Sequence, residues 1–365
     1  MDTNIRLRPN VVLFQSDRRS DFRYETPQKE NLMPSLVASL SRFRRSHEFW
    51  LLIVILVICV NLGVANGQFL TVQNLFDLLT SYAFVGILAL GLLVVLIAGG
   101  IDISFTATAS VAQYVALAVA NAYGANWFIV FAIAIGVGGT LGAINAILIQ
   151  KLRIPSIIVS VATLNIFYGL LIFFTGGKYI YSLPDWFATG IFWLEFEWGK
   201  DTSYGVNLQI LALAACFLVT WLLLNRTNIG RQIYAMGGNA DAARRLGFHI
   251  FGLNMLVYCY MGVMAGVASL VQAQLAQSVA PTVLVGKELD VVAAVVLGGA
   301  SLMGGVGTVG GTFLGLALLA ILQNGLILLG VSSYWSPFFV GLVILISVSA
   351  TAWSQRERRT RRARP

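Results

Sequence analysis

Long apolar runs separated by short polar segments fill the chain from Phe49 onward. Many runs are close to 20 residues long, the length of helix that crosses a hydrocarbon core of roughly 30 Å. The pattern predicts an all-α polytopic membrane protein with ten transmembrane helices. The predicted spans are 49–65, 78–99, 104–123, 127–150, 155–176, 207–224, 251–274, 287–301, 308–329 and 334–353. The eighth is short and begins with Lys287, Glu288 and Asp290, so we expect it to be tilted or buried among other helices.

The charges fit this number of spans. Lys and Arg number nine in residues 1–48, two in 151–153, four in 225–247 and six in 354–365. The loop 177–206 has two, against four acidic residues. Since cytoplasmic segments carry an excess of Lys and Arg, the four basic segments are predicted to be cytoplasmic and 177–206 external. Ten spans satisfy all five assignments and place both termini in the cytoplasm.

Composition supports a membrane protein and divides the chain into three parts. Only 11% of residues are charged, against about 25% in soluble domains. The net charge of +8 therefore indicates membrane orientation and not nucleic-acid binding. Residues 1–48 are predicted to be a cytoplasmic, largely disordered leader, 49–353 the transmembrane domain, and 354–365 a basic cytoplasmic tail.

The external segment 177–206 is rich in Tyr, Trp and Phe. Such residues favour a helix lying in the outer membrane interface. An outer gate or a docking surface for a partner is the alternative.

No sequence motif for an enzyme, a metal site or a nucleotide is present. The patterns HExxH and GxSxG are missing, and "GGKYI" (176–180) and "VGKELD" (285–290) lack the Ser or Thr of a phosphate-binding loop. We therefore expect no metal and no cofactor on this chain. If ATP drives it, another subunit hydrolyses the nucleotide.

An acidic residue follows a pair of glycines in "LIAGGIDISFTATAS", residues 96–110. Gly99 and Gly100 can break the helix, after which Asp102 and Ser104 can cap the next one. A carboxylate in a membrane domain is costly, so the alternative is that Asp102 lines a conduction path. A similar order of an apolar run, two glycines and a spacer with Ser occurs in residues 295–315.

Two sets of residues within the spans are further candidates. Polar side chains that can line a path or join helices are Ser104, Gln113, Tyr114, Asn165, Tyr168 and Asn324, together with Asp102. Glycines spaced for close helix packing are Gly138 and Gly142 in one span and Gly307, Gly311 and Gly315 in another.

The polar segment 230–247, "GRQIYAMGGNADAARRLG", separates two apolar runs on the predicted cytoplasmic side. Asn239 is a suitable N-cap, Arg244 and Arg245 suit the last turn, and Gly247 suits the residue after it. We predict a helix of about two turns, preceded by a flexible Gly237–Gly238 pair. So short a helix is unstable alone and needs a partner surface.

Several separated motifs resemble one family. The segment 230–247, "AGGIDIS" (98–104), residues 288–315 and "NGLILLGVSSYW" (324–335) resemble the permease subunits of ribose-type ABC importers, in the branched-chain amino acid and ribose permease superfamily. The resemblance covers roughly residues 70–353. It departs at Phe105 and Thr106, where the family usually has Val and Gly.

The resemblance implies partners and roles. The partners are a cytoplasmic ABC ATPase that binds ATP and Mg, a second permease copy or paralogue, and a periplasmic or surface solute-binding protein. The segment 230–247 would be the coupling segment, whose residues contact the ATPase or orient its short helix. The residues expected to do so are Gly230, Arg231, Tyr234, Gly238, Asn239, Ala242, Ala243, Arg244, Arg245 and Gly247.

We therefore expect a permease subunit that imports a monosaccharide or related small polar solute across the bacterial cytoplasmic (inner) membrane. The main alternative is an ion-coupled secondary transporter that uses Asp102. A passive channel and a structural membrane protein are weaker alternatives.

Overall fold

The structure is a computed structural model. It describes residues 47–189, 192–197 and 203–335, together with 337–339, 341, 342, 345 and 349. The predicted leader up to residue 46, most of the tenth predicted span and the basic tail lie outside the described residues.

The described chain is mainly helical. The helices are α1 (His47–Ala65), α2 (Val72–Ile97), α3 (Phe105–Tyr123), α4 (Trp127–Leu152), α5 (Ser156–Thr175), α6 (Asp185–Ala188), α7 (Leu208–Arg226), α8 (Asn228–Gly238), α9 (Ala240–Arg245), α10 (Ile250–Ala276), α11 (Glu288–Leu297) and α12 (Val309–Leu328). Among the described residues, seven helices are long and apolar enough to cross a membrane: α1, α2, α4, α5, α7, α10 and α12. The prediction of a multi-pass helical membrane protein is confirmed, and the number of ten spans stays a prediction.

Side-chain caps set several of these helix ends. Thr71 Oγ1 accepts a hydrogen bond from Asn74 N–H at 3.2 Å, and Asn126 Oδ1 accepts one from Ile129 N–H at 3.1 Å. Each cap satisfies a backbone donor that has no partner in the first helical turn. The α2 and α4 helices therefore begin where the sequence supplies a cap.

The α2 helix is the centre of the fold. Its residues from Ile87 to Ile97 are all buried, and it packs against α7, α10, α11 and α12. A helix that is apolar on every side is typical of a position surrounded by other helices. The core is built around this helix.

The eighth predicted span corresponds to α11, which has only ten residues. At 1.5 Å per residue it is about 15 Å long, roughly half the hydrocarbon thickness. Burial of its residues from Ala293 to Leu297 agrees with the expectation of a helix among other helices.

The segment 177–206, predicted to be external, does not form the expected interfacial helix in its described part. Its described part contains the four-residue α6 and two antiparallel strands, β1 (Phe192–Glu197) and β2 (Ser203–Asn207), paired from Phe192–Asn207 to Glu197–Ser203. The helix prediction was wrong because aromatic residues also suit the strands of a hairpin. The Phe187 side chain is fully buried against Trp127, with ring centroids 4.9 Å apart.

Candidate functional site

Two consecutive helices, α8 and α9, form the polar segment between α7 and α10. Thr227 Oγ1 accepts from Gly230 N–H at 3.0 Å and begins α8. Asn239 Oδ1 accepts from Ala242 N–H at 2.9 Å and begins α9, as predicted. The predicted end is also confirmed, since Gly247 has φ +86° and donates its N–H to Arg244 O at 3.0 Å. The α8 helix was not predicted, although its apolar residues recur at helical spacing.

One face of α8 packs on the helical bundle. Gly230, Ile233 and Met236 are buried, whereas Arg231 is exposed. A Cβ atom at Gly230 would lie 2.4 Å from the carbonyl oxygens of Leu223 and Leu224 in α7. Gly230 therefore allows close contact between α8 and α7.

The α9 helix presents a polar and basic surface. Gly238, Asn239, Ala242, Arg244, Arg245 and Gly247 are exposed. Ala243 is only 1% exposed and belongs to the core. Gly230 and Ala243 therefore hold the segment to the rest of the chain, and their burial excludes them from a contact surface in this conformation.

The pair Gly237–Gly238 is not a flexible linker, which corrects that prediction. Both residues end α8, and a Cβ atom at Gly237 would lie 1.7 Å from Ile97 O. The glycine is required for close backbone packing.

Tyr234 makes a second connection from α8. Its hydroxyl donates to Gly307 O at 2.7 Å. Burial raises the pKa of the Tyr234 phenol above its ordinary value, so the hydroxyl remains protonated and able to donate at neutral pH.

Asp102 is buried in the turn between α2 and α3. Its side chain is 2% exposed, and Oδ1 accepts from Ser104 N–H at 2.8 Å and Ser104 Oγ at 2.7 Å. Asn145 Nδ2 in α4 donates to Ser104 Oγ at 2.7 Å. The predicted cap by Ser104 is wrong, because its side chain makes no capping bond to α3. The carboxylate instead closes the turn that precedes the helix.

The other polar residues predicted for a path do not come together. Gln113 is buried with its Oε1 atom lacking a hydrogen-bond partner, and Tyr114 and Tyr168 are half-buried. Asn165 is exposed and donates to Val161 O of its own helix at 2.8 Å. Asn324 exchanges two hydrogen bonds with Asn74, of 3.2 and 3.0 Å.

A cavity of about 350 Å³ lies among α2, α10, α11 and α12. The Lys287 Nζ and Asp290 Oδ2 atoms lie 3.7 Å apart, and Tyr82 OH donates to Gln323 Oε1 at 2.7 Å. These four residues line the cavity, with Gln272. The volume is that of a small-molecule site. In the sequence, Lys287 and Asp290 stand out only as charges at the start of a predicted span, and Tyr82 has no distinguishing signal within an apolar run.

The predicted packing glycines lie at helix contacts. A Cβ atom at Gly138 would be 2.1 Å from Gly262 O, and one at Gly142 would be 2.2 Å from Tyr258 O, both in α10. In α12, Gly311 and Gly315 face α11, and a Cβ at Gly315 would lie 2.1 Å from Ala294 O. Gly307 precedes α12 and faces Leu93 of α2.

The chain matches the family described as "Branched-chain amino acid transport system / permease component" over residues 74–348. The chain belongs to this family. The permease is 32% identical to the ribose import permease protein RbsC of Escherichia coli (strain K12), over 81% of this chain and 91% of the relative. The Bacillus subtilis (strain 168) ribose import permease protein RbsC is 35% identical, over 80% and 88% of the two chains.

A third relative extends the match further along the chain. The L-arabinose ABC transporter permease protein AraH of Azospirillum brasilense is 29% identical, over 91% of the permease and 97% of the relative. No solved structure matches the permease. The permease is a transport component and not an enzyme, and an ATPase and a solute-binding protein are its implied partners.

At Thr106, where the family usually has glycine, the side chain makes a contact with another helix. Thr106 Oγ1 donates to Glu288 Oε1 at the start of α11. Glu288 also accepts from Gly286 N–H at 2.9 Å. A glycine at 106 could not make the first bond, so the side chain at this position joins α3 to α11.

Proposed function

We propose that this permease imports a monosaccharide or related small polar solute across the bacterial cytoplasmic (inner) membrane. A cytoplasmic ABC ATPase that binds ATP and Mg drives the import, and this chain itself binds no cofactor. The observation that carries the proposal is the exposed basic surface of α9, held against the bundle by the buried Ala243. Membership of the permease family and the names of the ribose and arabinose relatives support the solute class.

The proposed arrangement has ten spans with both termini in the cytoplasm. A second permease copy or paralogue completes the membrane part, and a periplasmic or surface solute-binding protein delivers the solute. Closing of the ATPase dimer moves α8 and α9, and the helices alternate access by rigid-body movement. The cavity lined by Tyr82, Lys287, Asp290 and Gln323 is the candidate passage, because its hydroxyl, amide and charged groups can exchange hydrogen bonds with a polyhydroxylated solute.

Crosslinking tests the contact with the ATPase. We expect Ala242→Cys, on the exposed side of α9, to crosslink to a cysteine placed in the ATPase. Ala243→Cys is the matched control, since this neighbour is buried and should not crosslink. Equal crosslinking from both positions would contradict the proposed orientation of α9.

Uptake tests the function itself. Vesicles with the full complex should take up labelled D-ribose or L-arabinose only with ATP. Replacing residues 238–246 by a flexible linker should abolish uptake. Full transport with the linker, or uptake driven by an ion gradient without ATP, would refute the proposal. The ion gradient would then favour a secondary transporter, although Asp102 is bonded within its own turn.

A further inference from the structure

Three glycine-bearing segments that are far apart in the sequence meet at one place. Gly99 follows α2, Gly237 ends α8, and Gly304 and Gly305 lie between α11 and α12. We call these four residues the glycine junction. Gly305 N–H donates to Ile97 O at 2.9 Å, so the loop is bonded to the end of α2.

The segments touch through their backbones. A Cβ atom at Gly237 would lie 1.7 Å from Ile97 O and 2.8 Å from Gly305 N. A Cβ at Gly304 would lie 2.7 Å from both Gly237 O and Gly99 Cα. Backbone atoms cannot move aside as a flexible side chain can, so the three segments are coupled sterically.

Three of the four glycines also have the backbone conformation that favours glycine. The φ angles are +86° at Gly99, +87° at Gly304 and +74° at Gly305. A larger residue would therefore be strained at all three positions, and at Gly304 and Gly305 its Cβ would also lie within 3 Å of another backbone atom. Of the glycine pairs that the sequence pattern repeats at 99–100 and 298–299, only Gly99 belongs to the junction.

Two turns of the membrane domain connect directly to the junction. The chain continues from Gly99 to Asp102, and Ile101 N–H donates to Ser156 Oγ of α5 at 2.9 Å. On the other side, Gly307 O accepts from Tyr234 of α8 at 2.7 Å, and Thr308 caps α12. The α8 helix is thus in contact with the segments that lead into both turns.

We propose that the glycine junction is the positioning element that transmits motion of α8 and α9 to the α2–α3 and α11–α12 turns. The proposal rests on the proposed function, because it needs an ATPase that moves α9. Gly237, Gly304 and Gly305 act through the helices they join, and Tyr234 acts as a second connection beside them.

A fluorescent reporter in the α11–α12 loop tests the proposal. Met303 is 81% exposed, so Met303→Cys can carry an environment-sensitive fluorophore after Cys59, Cys216 and Cys259 are replaced by Ala. The full complex with its ATPase in lipid nanodiscs is measured before and after addition of ATP and vanadate. Co-purification of the ATPase and its rate of ATP hydrolysis are measured on the same samples.

We expect Gly237→Ala to lower the nucleotide-dependent fluorescence change on the order of tenfold, while the ATPase still co-purifies. Tyr234→Phe keeps the ring and removes one hydrogen bond, so the change should fall by about threefold. Gly310→Ala is the matched control, because no atom lies within 4 Å of its added Cβ, and it should keep the full response. If Gly237→Ala does not fold, the response of Tyr234→Phe tests whether motion is transmitted through this contact.

The outcomes separate the two proposals. A full fluorescence change in Gly237→Ala and Tyr234→Phe would overturn the junction as the route of transmission. Failure of any ATPase to co-purify with the otherwise unmodified reporter chain would overturn the proposed function, and the junction proposal with it.

Discussion

Asp102 Oδ1 accepts two hydrogen bonds from the same residue, Ser104, through its backbone N–H at 2.8 Å and its hydroxyl at 2.7 Å. The carboxylate is thereby used to close a tight turn beside the glycine junction. A group held in this way supports the geometry of the turn between α2 and α3, because both hydrogen bonds are made within the turn itself.

Removing the Asp102 carboxylate should destabilise the permease. We expect Asp102→Ala to cost about 1–3 kcal/mol, because Ser104 N–H and Oγ lose their acceptor in a buried position. Asp102→Asn keeps an acceptor oxygen and should cost less. Thermal unfolding in detergent measures both. Equal losses in the two variants would show that the charge, and not the acceptor geometry, stabilises the turn.

Asn74 and Asn324 should behave as a coupled pair. Either single change to Leu leaves one half-buried amide without its partner and should cost about 1–3 kcal/mol. Because the double variant leaves neither amide unpaired, we expect its loss to be smaller than the sum of the single losses, with a coupling on the order of 1 kcal/mol. Unfolding of all four proteins measures this cycle. Strict additivity would show that the two hydrogen bonds contribute nothing.

Contact between α4 and α10 should depend on the absence of side chains at Gly138 and Gly142. Gly138→Ala places a methyl group where Gly262 O already lies, so we expect a loss of about 1–3 kcal/mol. Gly136→Ala is the control in the same helix, since no atom lies within 4 Å of its Cβ position. Thermal stability and the yield of folded protein in detergent compare the two. Similar values for both would refute the close packing.

The Thr106 hydroxyl should stabilise the start of α11. Thr106→Val keeps the shape and removes the hydrogen bond to Glu288, so we expect a loss of about 1 kcal/mol and faster proteolysis within residues 277–287. Thr106→Ser keeps the hydroxyl and serves as the control. Identical proteolysis of the Val, Ser and unmodified proteins would argue against this role.

Local signals predicted much of the fold. Apolar length located α1, α2, α4, α5, α7, α10 and α12, and capping residues located both ends of α9. The β1–β2 hairpin was missed, because strand pairing is not revealed by residue composition. The α8 helix was also missed, although its apolar residues have helical spacing.

The candidate site was less predictable because its contacts are distant in sequence. The pattern of a polar segment identified α9, but nothing local indicates that Ala243 faces inward or that Gly237 meets Ile97. Asn324 was a reasonable candidate for a path, yet its partner Asn74 lies 250 residues away. Such pairings depend on how whole helices cross.

The contact between α4 and α10 extends over several turns, from Gly142 beside Tyr258 to Ala134 beside Gly266. Neither helix can slide or rotate against the other without driving backbone into backbone. Because α10 follows α9 after only four residues, a displacement of α9 that moved α10 would also move α4. We therefore expect the two helices to move as one rigid unit, so that the bending needed for a transport cycle occurs at other helix boundaries.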